Sequence, residues 1–89
     1  MQVIYKKRFL KHYKKLSPKL QTKVKDTLAL FMTSPTDPIL NNHALIGEFA
    51  GCRSLDVTGD YRIIFEDIGG GIYEIVELLD VGSHSQLYG

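Results

Sequence analysis

Thr58-Gly59-Asp60-Tyr61-Arg62-Ile63-Ile64-Phe65-Glu66 reads as a tight turn that opens a two-faced strand. Tyr61, Ile63 and Phe65 fall on one side, and Asp60, Arg62, Ile64 and Glu66 on the other, because strand side chains alternate. Upstream, Cys52 to Thr58 has the same period, with Leu55 and Val57 opposed to Cys52, Ser54 and Asp56. Downstream, Ile68-Gly69-Gly70-Gly71 is a second hairpin loop. Ile72 to Val81 is apolar almost throughout, as expected of a strand with neighbours on both sides. An antiparallel meander of three strands follows, and one apolar face of it needs a cover.

The first half of the chain supplies that cover. Gln2-Val3-Ile4-Tyr5 is β-prone and reads as an opening strand. Phe9, Tyr13 and Leu16 then recur at helical spacing, flanked by Leu10, with Lys7, Lys11, Lys14 and Lys15 on the opposite side. Ser17-Pro18 is an N-cap followed by proline at the first helical position, so a second helix starts there. It carries Leu20, Val24, Leu28 and Phe31 on its stripe and stops at Thr33-Ser34-Pro35-Thr36-Asp37-Pro38. Residues 41–51 form an irregular connector with a short extended stretch at Ala44-Leu45-Ile46. The fold class is therefore α+β: strand, two-helix hairpin, three-strand antiparallel sheet and a short terminal turn, with residues 1–89 as a single domain.

Composition narrows the setting. Apolar residues are 44% and charged ones 24% of 89 residues, ordinary for a folded soluble chain. Cys52 is the one cysteine, which excludes an internal disulfide and fits a reducing cytoplasm. There is no membrane-length apolar run and no signal-peptide pattern, so the expected location is cytoplasmic. Residues 1–45 carry nine lysines and arginines against two acids, whereas residues 46–89 carry two arginines against eight acids. Such asymmetry suits either a basic surface for a polyanion or lysine faces that are simply solvated.

Asp80 to Gly89 is unusual for a tail. Gly82 and Ser83 offer a bend and an N-cap, and His84 and Tyr88 are four apart, on one face of a final helical turn. The stretch is either a site or a docked terminus that buries Leu87 and Tyr88. His12, among lysines, reads as a solvated surface residue. His43 in the connector and Asp60 at the hairpin mouth join His84 and Tyr88 as a candidate acid–base set. Arg62 is suited to grip a phosphate, and Tyr61 or Tyr88 to stack on a base, although parity turns Tyr61 toward the helices. Arg53 is expected to pair with an acid at the sheet edge. His43, His84, Asp56 and Asp60 could also serve as metal ligands, but no pair has a close ligand spacing, so neither metal nor cofactor is expected.

Taken in order, His43-Ala44-Leu45-Ile46-Gly47, Gly51-Cys52-Arg53-Ser54, Val57-Thr58-Gly59-Asp60-Tyr61-Arg62, Leu79-Asp80-Val81-Gly82-Ser83-His84 and Tyr88 resemble the RelE/StbE superfamily of toxins, nearest its YafQ-like branch. The resemblance implies a RelE-like microbial ribonuclease fold. It also implies a ribosome-dependent, metal-independent mRNA endonuclease of a type II toxin–antitoxin pair. Such a toxin cuts mRNA in the ribosomal A site and is silenced by a cognate antitoxin of the RelB or DinJ kind, through which the complex binds operator DNA. By the same resemblance His84 is the main catalytic residue, and His43, Asp60 and Tyr88 belong to the site. Arg62, Tyr61 and Asp56 are then expected to face RNA. Two departures stand out: Asp56 occupies a position where YafQ relatives carry histidine, and Ser54 replaces an acid found in some members. The competing expectation on the same fold is a ParE-like inhibitor of DNA gyrase, which needs no proton donors.

Overall fold

The computed structural model describes residues 1–88. Strands β1 (Gln2–Tyr5), β2 (His43–Ala44), β3 (Arg53–Asp56), β4 (Tyr61–Asp67) and β5 (Ile75–Ser83) form one sheet in the order β1-β5-β4-β3-β2. Helices α1 (Lys7–Lys14) and α2 (Pro18–Thr33) follow β1, and α3 (His84–Tyr88) follows β5. The expected meander is present as β3-β4-β5. The sheet is mixed rather than purely antiparallel, however. β1 runs parallel to β5, with Gln2 opposite Ile75 and Tyr5 opposite Leu78. Parallel neighbours need a long crossover, and the helical hairpin is part of that connection. No helix among the described residues is long and apolar enough to cross a membrane.

The second helix starts, and both helices stack, as their residues dictate. Ser17 Oγ accepts from Leu20 N at 3.2 Å, and Pro18 holds the first helical position. Phe9 of α1 and Val24, Leu28 and Phe31 of α2 are buried against Leu55, Ile63, Phe65, Val76, Leu78 and Val81 of the sheet. Phe31 and Phe65 meet at a ring separation of 4.8 Å. Each such side chain contributes about 1.5–3 kcal/mol on burial, so this one apolar layer is the main source of stability. Ile64 and Ser54 are cross-strand partners and fully buried, on the opposite side by strand parity.

Two corrections concern β5. The strand begins at Ile75, three residues later than its apolar pattern suggests. Ile72 is 89% exposed, and Tyr73 takes a left-handed backbone (φ 54°) to lay its ring against Phe31 and Phe65. The hairpin closes tightly around Gly69, where an added Cβ would lie 2.6 Å from Ile75 N. Further on, the register shifts: Ile64 faces Asp80, but Phe65 faces Leu78. Leu79 is thus an extra residue, a bulge that resets side-chain parity. The bulge accompanies an inward-facing Asp80, 5% exposed, whose carboxylate lies 2.6 Å from His12 Nδ1 and 3.0 Å from Arg8 Nε. It also accepts from Val81 N at 2.8 Å. His12 is therefore not a solvated residue; it ties α1 to the sheet.

Candidate active site

The terminal turn is built by a reciprocal cap. Ser83 Oγ accepts from Gln86 N at 3.2 Å, while Gln86 Oε1 accepts from Ser83 N at 2.8 Å, satisfying two donors that a helix start leaves open. His84 N adds a bond to the carbonyl of Asp60 at 2.9 Å. Gly82 is not the bend: it lies inside β5, paired with Arg62. Its lack of a side chain matters because a Cβ there would meet Gln86 Oε1 at 3.1 Å and Leu87 Cδ2 at 3.6 Å. The docked-terminus reading holds for Leu87 and not for Tyr88. Leu87 docks into a cavity with Leu16, Leu20, Tyr61 and Val81, and this fixes the helix. His84 and Tyr88 remain exposed, with rings 4.8 Å apart, and Tyr88 rests edge-on against Phe49 at 5.6 Å.

Across from α3, the connector delivers His43. Its Nδ1 lies 2.7 Å from the carbonyl oxygen of Asn41. A carbonyl can only accept, so Nδ1 carries the proton and a neutral ring keeps its lone pair on Nε2. His43, His84, Tyr88 and Arg62 line one groove, with Asn41 beside them and Ser54 beneath. The Ser54 hydroxyl is buried there with no hydrogen-bond partner among the described residues.

Arg62 is heavily committed to its own turn. Nη1 donates to the carbonyls of Thr58 (2.8 Å) and Tyr61 (3.2 Å), and Nη2 to that of Gly59 (3.1 Å). Its Nε lies 3.0 Å from Asp56 Oδ1, close enough for an ion pair, although the N–H is not aimed at that oxygen. Among the described residues, one Nη2 hydrogen has no partner. Asp56 is thereby held behind Arg62, and its other oxygen accepts from Asn41 Nδ2 at 3.4 Å.

Like Asp56, two further expected members stand apart from the groove. The Asp60 side chain is exposed at the hairpin mouth, and the residue meets α3 through its carbonyl. Tyr61 lines the cavity behind α3 with His12 and Leu87, on the helix side that its parity indicated. Among the described residues Arg53 finds no acid; its Nε donates to Asn42 Oδ1 at 2.8 Å, and Asn42 in turn donates to Tyr73 Oη and the Pro35 carbonyl. Cys52 packs as a partly buried thiol, its pKa raised by desolvation and then by the charge of Glu66. Among the described residues no three of His, Cys, Asp and Glu are grouped to hold a metal ion. Asn41 and Phe49 were not singled out from sequence. For Asn41 a signal existed, since asparagine is a residue that adopts the left-handed backbone, whereas Phe49 meets Tyr88 only through the folded chain.

A family model described as "Bacterial toxin of type II toxin-antitoxin system, YafQ" matches residues 1–89. No curated protein matches the chain. Among solved structures the chain is similar to YafQ from Escherichia coli, at 22% identity and a TM-score of 0.78, covering 99% of this chain and 98% of that one. It is similar to the E. coli DinJ–YafQ toxin–antitoxin complex at 24% identity and a TM-score of 0.75, covering 99% and 97%. A copper-bound mutant toxin from Helicobacter pylori is 26% identical with a TM-score of 0.69, covering 98% of each chain.

Proposed function

Because the chain belongs to the YafQ family of toxins of bacterial type II toxin–antitoxin systems, we propose that it is a ribosome-dependent mRNA endoribonuclease working by metal-independent acid–base chemistry. The observation that carries this reading is the pair of imidazoles, His43 and His84, lining one groove beside Arg62. Cutting RNA this way requires a base to take the ribose 2′-OH proton as its oxygen attacks phosphorus. An acid must then protonate the departing 5′-oxygen, leaving a 2′,3′-cyclic phosphate. Histidine serves in either role near neutral pH. His43, with its Nε2 lone pair free, suits the base. His84, on the capped turn, suits the acid and is the principal catalytic residue of this proposal. The ring of Tyr88 lies against His84 and orients it. The Nη2 hydrogen of Arg62 that no described residue takes is available to a phosphate oxygen. Asp60 contributes by holding the first turn of α3 through its carbonyl, while Asp56 steadies Arg62. Tyr61 supports α3 from behind.

The same reading assigns a cognate antitoxin of the RelB or DinJ kind, with operator binding through that antitoxin, and the cytoplasm as the site of action. The complex of the related E. coli YafQ with DinJ supports the first of these. Inducing the protein and its His84→Ala variant in bacteria tests the proposal: the wild type arrests growth with mRNA cut on ribosomes, and the variant does neither. Equal arrest by both without mRNA cleavage would sink it. A purified protein that then blocks gyrase supercoiling would establish the ParE-like alternative instead.

A further inference from the structure

Three polar ties converge on Asn41, a residue that carries no proton chemistry of its own. It follows the 3-10 turn Pro38–Leu40 and sits in the left-handed region at φ 46°, ψ 46°, its N–H bonded to the Pro38 carbonyl at 3.2 Å. This backbone places its carbonyl oxygen 2.7 Å from His43 Nδ1. Its side-chain amide reaches back to Asp56 Oδ2 at 3.4 Å, and Asp56 Oδ1 lies 3.0 Å from Arg62 Nε. One residue thus touches both the imidazole and the carboxylate behind the arginine.

We propose that Asn41 is the positioning residue of the site. Its left-handed carbonyl locks His43 in the Nδ1–H tautomer, with the Nε2 lone pair toward substrate, and its amide holds the Asp56–Arg62 pair in step with that ring. A free histidine side chain favours the opposite tautomer, so the carbonyl must impose the one found here. Partner groups on the far nitrogen are the general means of fixing which nitrogen acts. The consequence for cleavage rests on the ribonuclease reading; the tautomer does not.

The left-handed backbone supplies the test. Glycine adopts it without strain, and a β-branched side chain does not. Long-range proton–nitrogen spectra of the 15N-labelled protein, recorded above the histidine titration range, report which nitrogen of His43 is protonated. Wild type should show Nδ1–H. Asn41→Gly should keep that tautomer, because the carbonyl stays in place, while losing the amide that holds Asp56. Asn41→Val should shift His43 toward Nε2–H and slow cleavage on programmed ribosomes by about tenfold to hundredfold, the lower part of what a placed base contributes. Nε2–H in the wild type would overturn the proposal, as would an Asn41→Gly protein that loses the Nδ1–H tautomer. If Asn41→Val fails to fold, those two measurements still decide. A wild type with Nδ1–H that leaves ribosome-bound mRNA intact would sink the ribonuclease reading and leave the positioning geometry standing.

Discussion

Replacing His12 with alanine separates a surface histidine from a structural one. In the folded chain His12 Nδ1 lies 2.6 Å from a carboxylate whose side chain is 7% exposed, and Arg8, which also pairs with it, is 73% exposed. A hydrogen bond to a charged group contributes about 1.5–3 kcal/mol. The His12 side chain is itself 35% exposed, so water can partly replace it, and the loss is discounted to about 1–2 kcal/mol. For a domain of this size each kcal/mol moves the thermal midpoint by about 4–8 °C, so His12→Ala should melt roughly 5–15 °C below wild type. Lys11→Ala, one residue away on the exposed side of α1, should stay within about 0.5 kcal/mol. Urea unfolding of His12→Ala, Asp80→Asn and the double variant supplies a coupling energy, expected at about 1 kcal/mol. If His12→Ala is as stable as Lys11→Ala, or the coupling vanishes, the pair seen beneath α1 contributes nothing and the account is wrong.

Three other outcomes follow from the geometry. Ending the chain at Ser83 removes α3 but keeps every paired residue of β5; circular dichroism should report a folded protein whose induction no longer arrests growth, and an unfolded product would show that Leu87 docking is indispensable. Ser54→Ala removes a buried hydroxyl that has no partner, so the melting midpoint should rise, by about 1 kcal/mol of stability or less; a fall would reveal a bond to that oxygen. Burial and the charge of Glu66 raise the Cys52 pKa. Less thiolate is therefore present at pH 8 than in an unstructured cysteine peptide, and alkylation by iodoacetamide should be slower, approaching the peptide rate only as pH rises or urea is added.

Local chemistry was legible where it decided the outcome locally. The stripe of Phe9, Tyr13 and Leu16, the Ser17-Pro18 start, the alternation of Tyr61, Ile63 and Phe65, and the His84–Tyr88 spacing all reappear as packing or exposure in the fold. What escaped depends on distant partners. Nothing in Gln2–Tyr5 announces that its neighbour is seventy-odd residues away and parallel. The bulge at Leu79 changes parity within an unbroken apolar run, which is why Asp80 and His12 were not expected to meet. Tyr73 bears a strand former's side chain, yet three glycines before it let the loop close with its ring turned into the core. Arg62 has the face that parity gave it, but its donors are claimed by carbonyls of a turn whose shape is not written in any single residue.

The parallel pairing of β1 with β5 has a consequence for how the toxin comes into being. β5 is the last strand in the chain, yet it lies inside the sheet, hydrogen-bonded to the first strand on one side and to β4 on the other. A nascent chain that has not reached Ile75 has an opening strand without its β5 partner and a core lacking Val76, Leu78 and Val81. Contacts of such sequence separation form late and slowly. Synthesis therefore supplies its own safety interval: the groove cannot assemble before β5 has been made, and His84 follows immediately after that strand.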